Sequence, residues 1–530
     1  MAVVDFIMRH LRAPVRRLAF WFLSVAILAL ADVTAQEFRG LWVDSFHPGL
    51  RNRREIRQLV ADARAGNFNA LIVEVRRRGD AFYNSRYEPK ATDITPPDFD
   101  PLAELIALAH LTNSGPPLQV HAWIVAYNIW DDRRTLPTQA NHPYRQHRDW
   151  VTRTDRGVMW DGASYAFDPG HPDVQQHTFD VAMDIVSRYD VDGLHLDYIR
   201  YAGNDWGYNE AAVSRFKIIF SRVNTPFPED PQWLQFRRDQ VTALVRKIYL
   251  SALELKPRVT ISAATIAWAP GIASDSEWPG SAAFSIVLQD WRAWMQEGIL
   301  DLNVPMVYFR QQTVNSNNWA SWSRFAKDHR YNRGVAIGTA VYLNNVSRSL
   351  SQMRSTRNAT TEGNRADGLV IFSYAMPGSD RVSRSDFLKA LTGSGRRDPG
   401  STPLFPTPVD VPEMPWKTSP TRGHLKGYVT SAPRRTGIDA ATVTLTGPVN
   451  RSLISDATGF YGTVDLPTGD YLLSVKLPNY QPAETNVTIA AGAVASRDWL
   501  LNPANPPPTA DKSSGSRDVV PVQSTQPEPR

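Results

Sequence analysis

A short apolar run in the middle of the chain ends in two ionisable residues that share one face. The run VDGLHLDY (191–198) is typical of a strand, and alternate side chains of a strand point the same way, so His195 and Asp197 lie together. A carboxylate at the end of an apolar strand is costly to bury unless it is paired or used in chemistry. We therefore predict Asp197 as a catalytic carboxylate, held ionised by a hydrogen bond or positive charge from His195. The alternative for Asp197 is a structural pair with Arg200.

Two more carboxylates belong to the second apolar run, NALIVEVR (69–76), and to the loop after it. Glu74 is the only carboxylate inside that run, and Asp80 follows in the loop. A second carboxyl group near Asp197 could act as an acid or base beside it, so both residues are catalytic candidates. The alternative is that each pairs with a neighbouring arginine, such as Arg76, and shapes the loop.

Aromatic residues gather at the ends of the same apolar runs, in a chain that contains 16 Trp and 18 Tyr. Sugar rings stack their apolar faces on aromatic side chains, so carboxylates surrounded by such rings favour carbohydrate chemistry. Among the polar candidates, Asp168 is equally well placed to cap the helix predicted after it. The predicted substrate-binding residues are Asp44, Trp123, Tyr127, Trp130, Asp168, Tyr198, Tyr308 and Tyr374.

These side chains must be positioned by eight apolar runs that alternate with amphipathic stretches. The runs are rich in β-branched and aromatic residues and are almost continuously apolar, as in the strands of a buried parallel sheet. Eight strand–helix units over about 350 residues predict a (β/α)8 TIM barrel, whose active site lies at the C-terminal ends of the strands. A doubly wound open sheet is the alternative, but no glycine-rich phosphate turn follows the first run. The runs are 38–44, 69–76, 118–127, 191–198, 259–267, 302–309, 334–342 and 368–375.

The first 35 residues have the pattern of an export signal. Four arginines precede an apolar run, 18–31, that is shorter than the roughly 20 residues of a membrane span. Small residues at 33 and 35 then predict cleavage before Gln36. We expect residues 1–35 to be a signal peptide and the protein to be exported, to the periplasm or the cell exterior. An uncleaved segment would instead anchor it to the membrane.

The composition changes after the predicted barrel, which takes residues 36–392. Residues 393–423 contain seven prolines and predict an extended linker. Short strands separated by turns predict a small all-β sandwich over 424–501. Pro, Ser, Thr and Gln dominate 502–530, which predicts disorder. We expect the barrel to work without the sandwich.

Charge and cysteine content exclude several functional classes. The 58 basic and 53 acidic residues give a net charge of +5, too small for a nucleic-acid-binding surface on a chain of 530 residues. The absence of cysteine excludes disulfides, thiolate nucleophiles and Cys-ligated metal sites. The sequence predicts no cofactor and a polysaccharide or oligosaccharide partner.

Six motifs follow one another along the predicted barrel: RGLWV (39–43), EVRRRGDAFY (74–83), VHAW (120–123), HRDW (147–150), DPGHP (168–172) and VDGLHLDY (191–198). Together they resemble the glycosyl hydrolase-like 10 family, formerly domain of unknown function 187. The resemblance implies an exported or lipid-anchored TIM-barrel glycosidase, and some members act on bacterial cell-wall glycan strands. The turns DATGFY (456–461) and LPTGDY (466–471) resemble the carboxypeptidase regulatory-like fold.

Two other functional classes remain open from the sequence. A non-catalytic glycan-binding barrel would keep the aromatic groove without chemistry. A metal-dependent polysaccharide deacetylase would use His121, His195 and Asp197 as ligands, although no closely spaced pair such as H-x-x-x-H supports it. Turnover on a polysaccharide panel and metal analysis separate these classes.

Overall fold

The computed structural model describes residues 36–311, 316–394 and 402–504, and its larger part is a closed barrel of eight parallel strands. Each strand pairs with the next in chain order, and the last pairs with the first. Every predicted apolar run forms one strand, so the predicted (β/α)8 barrel is confirmed. The strands are β1 Phe38–Val43, β2 Ala70–Arg76, β3 Gln119–Val125, β4 Gly193–Asp197, β5 Thr260–Ile266, β6 Leu302–Val307, β7 Gly334–Ala340 and β8 Gly368–Phe372.

Helices between the strands cover the outside of the barrel, and polar side chains cap several of their first turns. Asn52, for example, accepts the backbone N–H of Glu55 at 3.0 Å. No helix within the described residues combines the length and the apolar composition needed to cross a bilayer. The helices are α1 Arg53–Ala65, α2 Pro101–His110, α3 Pro143–Gln146, α4 Pro172–Arg188, α5 Glu210–Ile219, α6 Pro231–Leu255, α7 Trp291–Glu297, α8 Ser316–Asp328, α9 Val346–Thr356, α10 Arg384–Thr392 and α11 Pro415–Thr418.

Alternation along the strands divides the apolar side chains into two packed layers. One set faces the helices and forms the main core, while the other fills the barrel lumen. Between β3 and β4 the chain makes a long excursion that contains α3, α4 and a short antiparallel pair, Asn128–Trp130 with Tyr165–Ala166. The lumen cluster consists of Phe38, Trp42, Ala70, Ile72, Trp123, Ala264, Leu302, Val304, Ala336 and Val370.

Residues 402–421, here called the strap, lie against the N-terminal ends of the barrel strands. The Phe405 ring is fully buried and packs 5.7 Å from the ring of Phe68. Lys417 forms a 2.7 Å ion pair with Asp301, a buried residue just before β6. The residues predicted as an extended linker therefore pack on the barrel over 402–421, where apolar side chains complete its base. Residues 395–401 of the predicted linker lie outside the described residues.

A small β-sandwich follows the strap, as predicted, and it has its own apolar core. One sheet has the order β10-β9-β13, with β16 and β17 also pairing with β9, and the other has the order β12-β11-β14-β15. The predicted signal peptide and residues 505–530 lie outside the described residues. The strands are β9 Arg422–Ser431, β10 Thr436–Gly437, β11 Thr442–Thr446, β12 Arg451–Ile454, β13 Phe460–Pro467, β14 Gly469–Lys476, β15 Ala483–Ile489, β16 Val494–Ser496 and β17 Trp499–Leu501.

The sandwich packs directly on the barrel along α6. Lys247 of α6 is fully buried and donates to Thr458 of the sandwich at 3.0 Å. At the base of the barrel, Arg333 forms a 2.8 Å ion pair with Asp465. The two folded parts therefore share an interface, which the expectation of an independent barrel did not include.

We expect a chain that lacks both the strap and the sandwich to be less stable than a chain that lacks the sandwich alone. A chain ending at Ser394 exposes the Phe68 surface that Phe405 covers, and burying one such ring contributes about 1.5–3 kcal/mol. Its free energy of unfolding should lie below that of a chain ending at Thr421 by at least this amount, measured by urea denaturation. Equal stability of the two chains would show that the strap does not support the barrel.

Candidate active site

Asp197 is the last residue of β4 and lies on the lumen face at the C-terminal end of the barrel. Its side chain is only 5% exposed, and its Oδ1 accepts the backbone N–H of Tyr198 at 2.7 Å. Burial raises the pKa of Asp197 to about 6, while Arg200, this hydrogen bond and the neighbouring indole of Trp123 lower it. The indole N–H is buried and has no well-aligned acceptor, so its effect comes from proximity. Asp197 is thus mostly ionised at neutral pH.

Glu74 lies on the lumen face of β2 and is 2% exposed. Its Oε2 accepts two hydrogen bonds from Ser45, from the backbone N–H at 2.8 Å and from the hydroxyl at 2.7 Å. Burial raises the pKa of Glu74 to about 8 despite these bonds, with Asp44 raising it further and Arg77 lowering it. Glu74 is therefore protonated at neutral pH. Since Oε2 accepts twice, the acidic proton belongs on Oε1.

The barrel register brings Glu74 and Asp197 to the same level of the lumen. Glu74 pairs with Trp123, which pairs with His195 on β4. In an eight-stranded barrel with a shear of 8, residues at equal height on neighbouring strands are offset from the paired register by about one residue. Since β4 lies two strands from β2, the residue at the height of Glu74 is Asp197, two positions after His195. Both carboxylates also raise the pKa of the Tyr198 phenol, so both lie near it. Two carboxyl groups with different protonation states thus share one cavity mouth.

His195 does not support Asp197 as predicted. Trp42 donates its indole N–H to Nε2 of His195 at 3.1 Å, so Nε2 carries no proton and Nδ1 donates to Ser262 at 2.9 Å. Burial, with a smaller contribution from His121, holds the pKa of His195 well below its usual value. The predicted hydrogen bond or positive charge toward Asp197 is therefore wrong, and His195 instead fixes the orientation of Trp42.

Two of the predicted carboxylates organise loops. Asp80 forms a 2.6 Å ion pair with Arg77, which is the alternative that the sequence left open. Asp168 is fully buried and accepts from the Thr152 hydroxyl at 2.9 Å and from the backbone N–H of Gly170 at 2.8 Å. Neither Asp80 as a catalyst nor Asp168 as a substrate contact fits these positions, because their oxygens are already engaged.

Two of the predicted aromatic contacts are part of the core. Tyr127 is buried in the main core and lies beyond the end of β3. Tyr374 is also buried, and its hydroxyl donates to Asp62 of α1 at 2.9 Å. Both rings pack in the main core, so neither position fits the predicted substrate contact.

Because Tyr374 joins the end of β8 to α1, its hydroxyl contributes to folding and not to catalysis. Tyr374→Phe should lower the free energy of unfolding by about 1 kcal/mol, the usual value of one hydrogen bond, and leave kcat and KM unchanged. Thermal denaturation and steady-state kinetics check the two parts. A raised KM at native stability would return Tyr374 to the substrate contacts.

Other predicted rings surround the carboxyl pair. Burial, and then the nearby charge of Asp197, hold the pKa of the Tyr308 phenol well above its usual value. The Tyr308 ring makes an edge contact with Trp42, with 6.3 Å between the ring centres. The ring centres of Trp123 and His195 lie 6.4 Å apart. Tyr198 is partly exposed, and its backbone has a left-handed conformation with φ of 47°. These rings form an aromatic wall around the mouth.

The loop after β1 supplies residues that the sequence did not single out. Ser45 orients Glu74, as described above, and His47 holds Asp44 through a 2.6 Å contact between Nδ1 and Oδ1. Oδ2 of Asp44 is buried without a hydrogen-bond partner. Asp44 therefore stays a predicted substrate contact, with one acceptor free. A serine directly after a strand-ending aspartate was the available signal for Ser45.

The ligand set of the deacetylase alternative does not assemble. Both nitrogens of His195 have protein partners, and His121 is fully buried with Nε2 3.1 Å from the Gln119 amide oxygen. Nowhere in the described ranges do three or more His, Asp or Glu side chains come together to hold a metal ion.

Comparisons with known proteins give the same outline. The sequence model of the family "Glycosyl hydrolase-like 10" matches residues 37–355, and that of the carboxypeptidase regulatory-like domain matches 424–501. Glycosyl hydrolase YngK of Bacillus subtilis (strain 168) is 26% identical over 437 residues, which cover 76% of this chain and 79% of the relative. Glycosyl hydrolase DigH of Escherichia coli (strain K12) is 27% identical over 276 residues, 48% of this chain and 58% of the relative. The match therefore spans little more than half of DigH.

Two solved structures align with the larger part of the chain. The glycoside hydrolase domain of PgaB (BpsB) from Bordetella bronchiseptica has a TM-score of 0.45 at 12% identity and covers 67% of this chain and 98% of that one. Alpha-L-fucosidase isoenzyme 2 from Paenibacillus thiaminolyticus also has a TM-score of 0.45, at 14% identity over 67% of this chain and 48% of that one. Because the family model covers more than half of the 530 residues, the chain belongs to the glycosyl hydrolase-like 10 family and carries a carboxypeptidase regulatory-like domain after its barrel.

Proposed function

We propose that this protein hydrolyses the glycosidic bonds of a polysaccharide, with bacterial cell-wall glycan strands as the substrate. The observation that carries the proposal is the pair of buried carboxyl groups at the catalytic end of the barrel, one ionised and one protonated at neutral pH. Environments that push two carboxyl pKa values apart assign the acid and base roles. Membership of a family of glycosyl hydrolase-like proteins supports the same reaction.

Each carboxyl group has one role in the proposed reaction. Glu74 donates its Oε1 proton to the glycosidic oxygen as the bond from that oxygen to the anomeric carbon breaks. Asp197 stabilises the anomeric carbon, either by attacking it or by activating the water that does so. Water supplies the hydroxyl of the new reducing end. If Asp197 attacks, Glu74 takes the remaining proton of the water that releases the sugar; if Asp197 activates the water, Asp197 takes that proton and exchange with solvent restores both groups.

The surrounding residues prepare this chemistry before substrate arrives. Ser45 fixes Oε2 of Glu74 as an acceptor, which leaves the proton on the oxygen that can donate. Trp42, Trp123 and Tyr308 supply apolar ring surfaces in the lumen, and Trp123 and Tyr308 lie near Asp197. A buried setting of this kind strengthens charge interactions with the developing oxocarbenium ion.

The proposal includes export to the periplasm or the cell exterior. Its support is the sequence of residues 1–35, with a basic start, a short apolar run and small residues before Gln36. Amino-terminal sequencing of protein from the cell envelope and the medium tests it. A mature chain that begins at Gln36 agrees with export, and an intact chain in the cytoplasm contradicts it.

The experiment is a turnover assay with purified protein on peptide-free cell-wall glycan strands and a panel of neutral and acidic polysaccharides. New reducing ends on at least one polymer support a glycoside hydrolase. Binding without new reducing ends identifies a glycan-binding barrel, and release of acetate without chain cleavage identifies a deacetylase.

A further inference from the structure

An arginine at the rim of the barrel mouth lies between two aromatic rings. The Arg78 guanidinium lies 5.5 Å from the centre of the Phe46 ring and 5.3 Å from that of Trp130, and it pairs with Asp131. Phe46 is 48% exposed, so much of its ring surface is open to solvent. We call Phe46, Arg78 and Trp130 the first platform.

A second arginine repeats this arrangement on another part of the rim. The Arg200 guanidinium lies 4.5 Å from the centre of the Tyr198 ring and 5.5 Å from that of Trp268. The rings are 36% and 42% exposed, and Nε of Arg200 has no hydrogen-bond partner. We call Tyr198, Arg200 and Trp268 the second platform.

The residues of each platform follow the ends of neighbouring barrel strands, and one strand of each group carries one of the two carboxyl groups. The first platform follows β1, β2 and β3, and Glu74 lies on β2. The second platform follows β4 and β5, and Asp197 ends β4. The two platforms therefore flank the carboxyl pair on separate arcs of the rim.

The chemistry of both platforms suits a sugar ring. An exposed aromatic face takes the C–H face of a pyranose, and a guanidinium held over such a ring offers N–H donors to hydroxyl, acyl or carboxylate oxygens. Stacking on two rings also fixes the arginine before a ligand binds, which lowers the entropy cost of binding.

We propose that the two platforms are glycan-binding subsites on opposite sides of the cleavage point, so that the protein holds an internal stretch of a glycan chain and cuts within it. The proposal rests on the proposed glycoside hydrolase activity and adds the mode of attack. A substrate must reach both platforms to bind fully, so chain length decides affinity. Cleavage in the interior of a long chain follows from the same geometry.

Binding is measured first, with full-length Asp197→Asn protein and peptide-free cell-wall glycan strands sorted by length. Phe46→Ala and Trp268→Ala should each weaken binding of strands of about twelve sugars by about tenfold, and weaken binding of disaccharides much less. Phe227→Ala is the matched control, because Phe227 is an exposed ring outside both platforms and its loss should leave binding unchanged. If Asp197→Asn protein does not fold, Glu74→Gln protein replaces it.

Product analysis of the wild-type protein completes the test. We expect the mean chain length to fall before mono- or disaccharides accumulate. Release of short products from one end at the earliest times, or unchanged long-strand binding in both ring variants, overturns the proposal while leaving the hydrolase activity intact. Strand binding that depends on both platforms but is never followed by cleavage overturns the hydrolase activity and the cutting mode together.

Discussion

Replacing Asp197 with asparagine should lower turnover by several orders of magnitude while the melting temperature stays close to that of the wild type. The substitution keeps the size of the side chain and its acceptor for the Tyr198 N–H, but it removes the negative charge that faces the anomeric carbon. Loss of a group that acts only in the transition state lowers kcat and kcat/KM together. Steady-state kinetics on a polymer that the wild type cleaves gives both constants.

A matched substitution distinguishes the loss of charge at the candidate site from the loss of a buried aspartate elsewhere in the barrel. Asp168→Asn makes the same chemical change at a buried residue that organises the loop beyond β3. We expect it to lower the free energy of unfolding, since its hydrogen bonds are disturbed, and to change kcat far less than Asp197→Asn. Near-native turnover of a folded Asp197→Asn protein would remove Asp197 from the mechanism.

The activity should depend strongly on pH, because the pKa values of Asp197 and Glu74 are both raised. Activity needs ionised Asp197, which forms as pH rises through about 6, and protonated Glu74, which is lost as pH rises through about 8. The profile of kcat/KM against pH should therefore be bell-shaped, with its acid limb near pH 6 and its alkaline limb near pH 8.

Glu74→Gln keeps an acceptor for Ser45 but has no acidic proton. It should lower turnover by about 10²–10⁴, less than Asp197→Asn, and abolish the alkaline limb.

A change of leaving group and a stability measurement check the role of Glu74 independently. Substrates with aryl leaving groups need little protonation, so the loss in Glu74→Gln should shrink on them. Because the pKa of Glu74 is raised on folding, the native state loses stability as pH rises from about 4.3, the value in an unfolded chain, to about 8. Glu74→Gln should thus gain stability over the wild type between these pH values. An unchanged alkaline limb in this variant would assign the acid to another group.

The sequence was sufficient to predict the barrel and the direction in which Glu74 and Asp197 point, and both predictions have the same physical basis. Near-continuous apolar runs form the strands of a parallel sheet, and strand alternation points Glu74 and Asp197 into the lumen. Both inferences use only local periodicity. The prediction that Asp197 and Glu74 do the chemistry now rests on their burial and pKa values, and it stays a prediction.

What the sequence could not provide depended on contacts between distant segments. The state of His195 is set by Trp42 on β1 and Ser262 on β5, which only the closed barrel brings together. Tyr127 and Tyr374 lie beyond strand ends, where side-chain direction follows loop packing. The proline-rich composition predicted an extended linker, but it gave no sign that side chains of the strap complete the base of the barrel.

The most direct test of the central claim is hydrolysis in water enriched in oxygen-18, followed by mass spectrometry of the products. If the carboxyl pair cleaves glycosidic bonds, wild-type protein acting on peptide-free cell-wall glycan strands should yield shorter chains with one heavy oxygen at each new reducing end. Asp197→Asn protein should yield almost none in the same time. Strands of unchanged length after incubation with folded wild-type protein would contradict the account, as would label that appears only in released acetate.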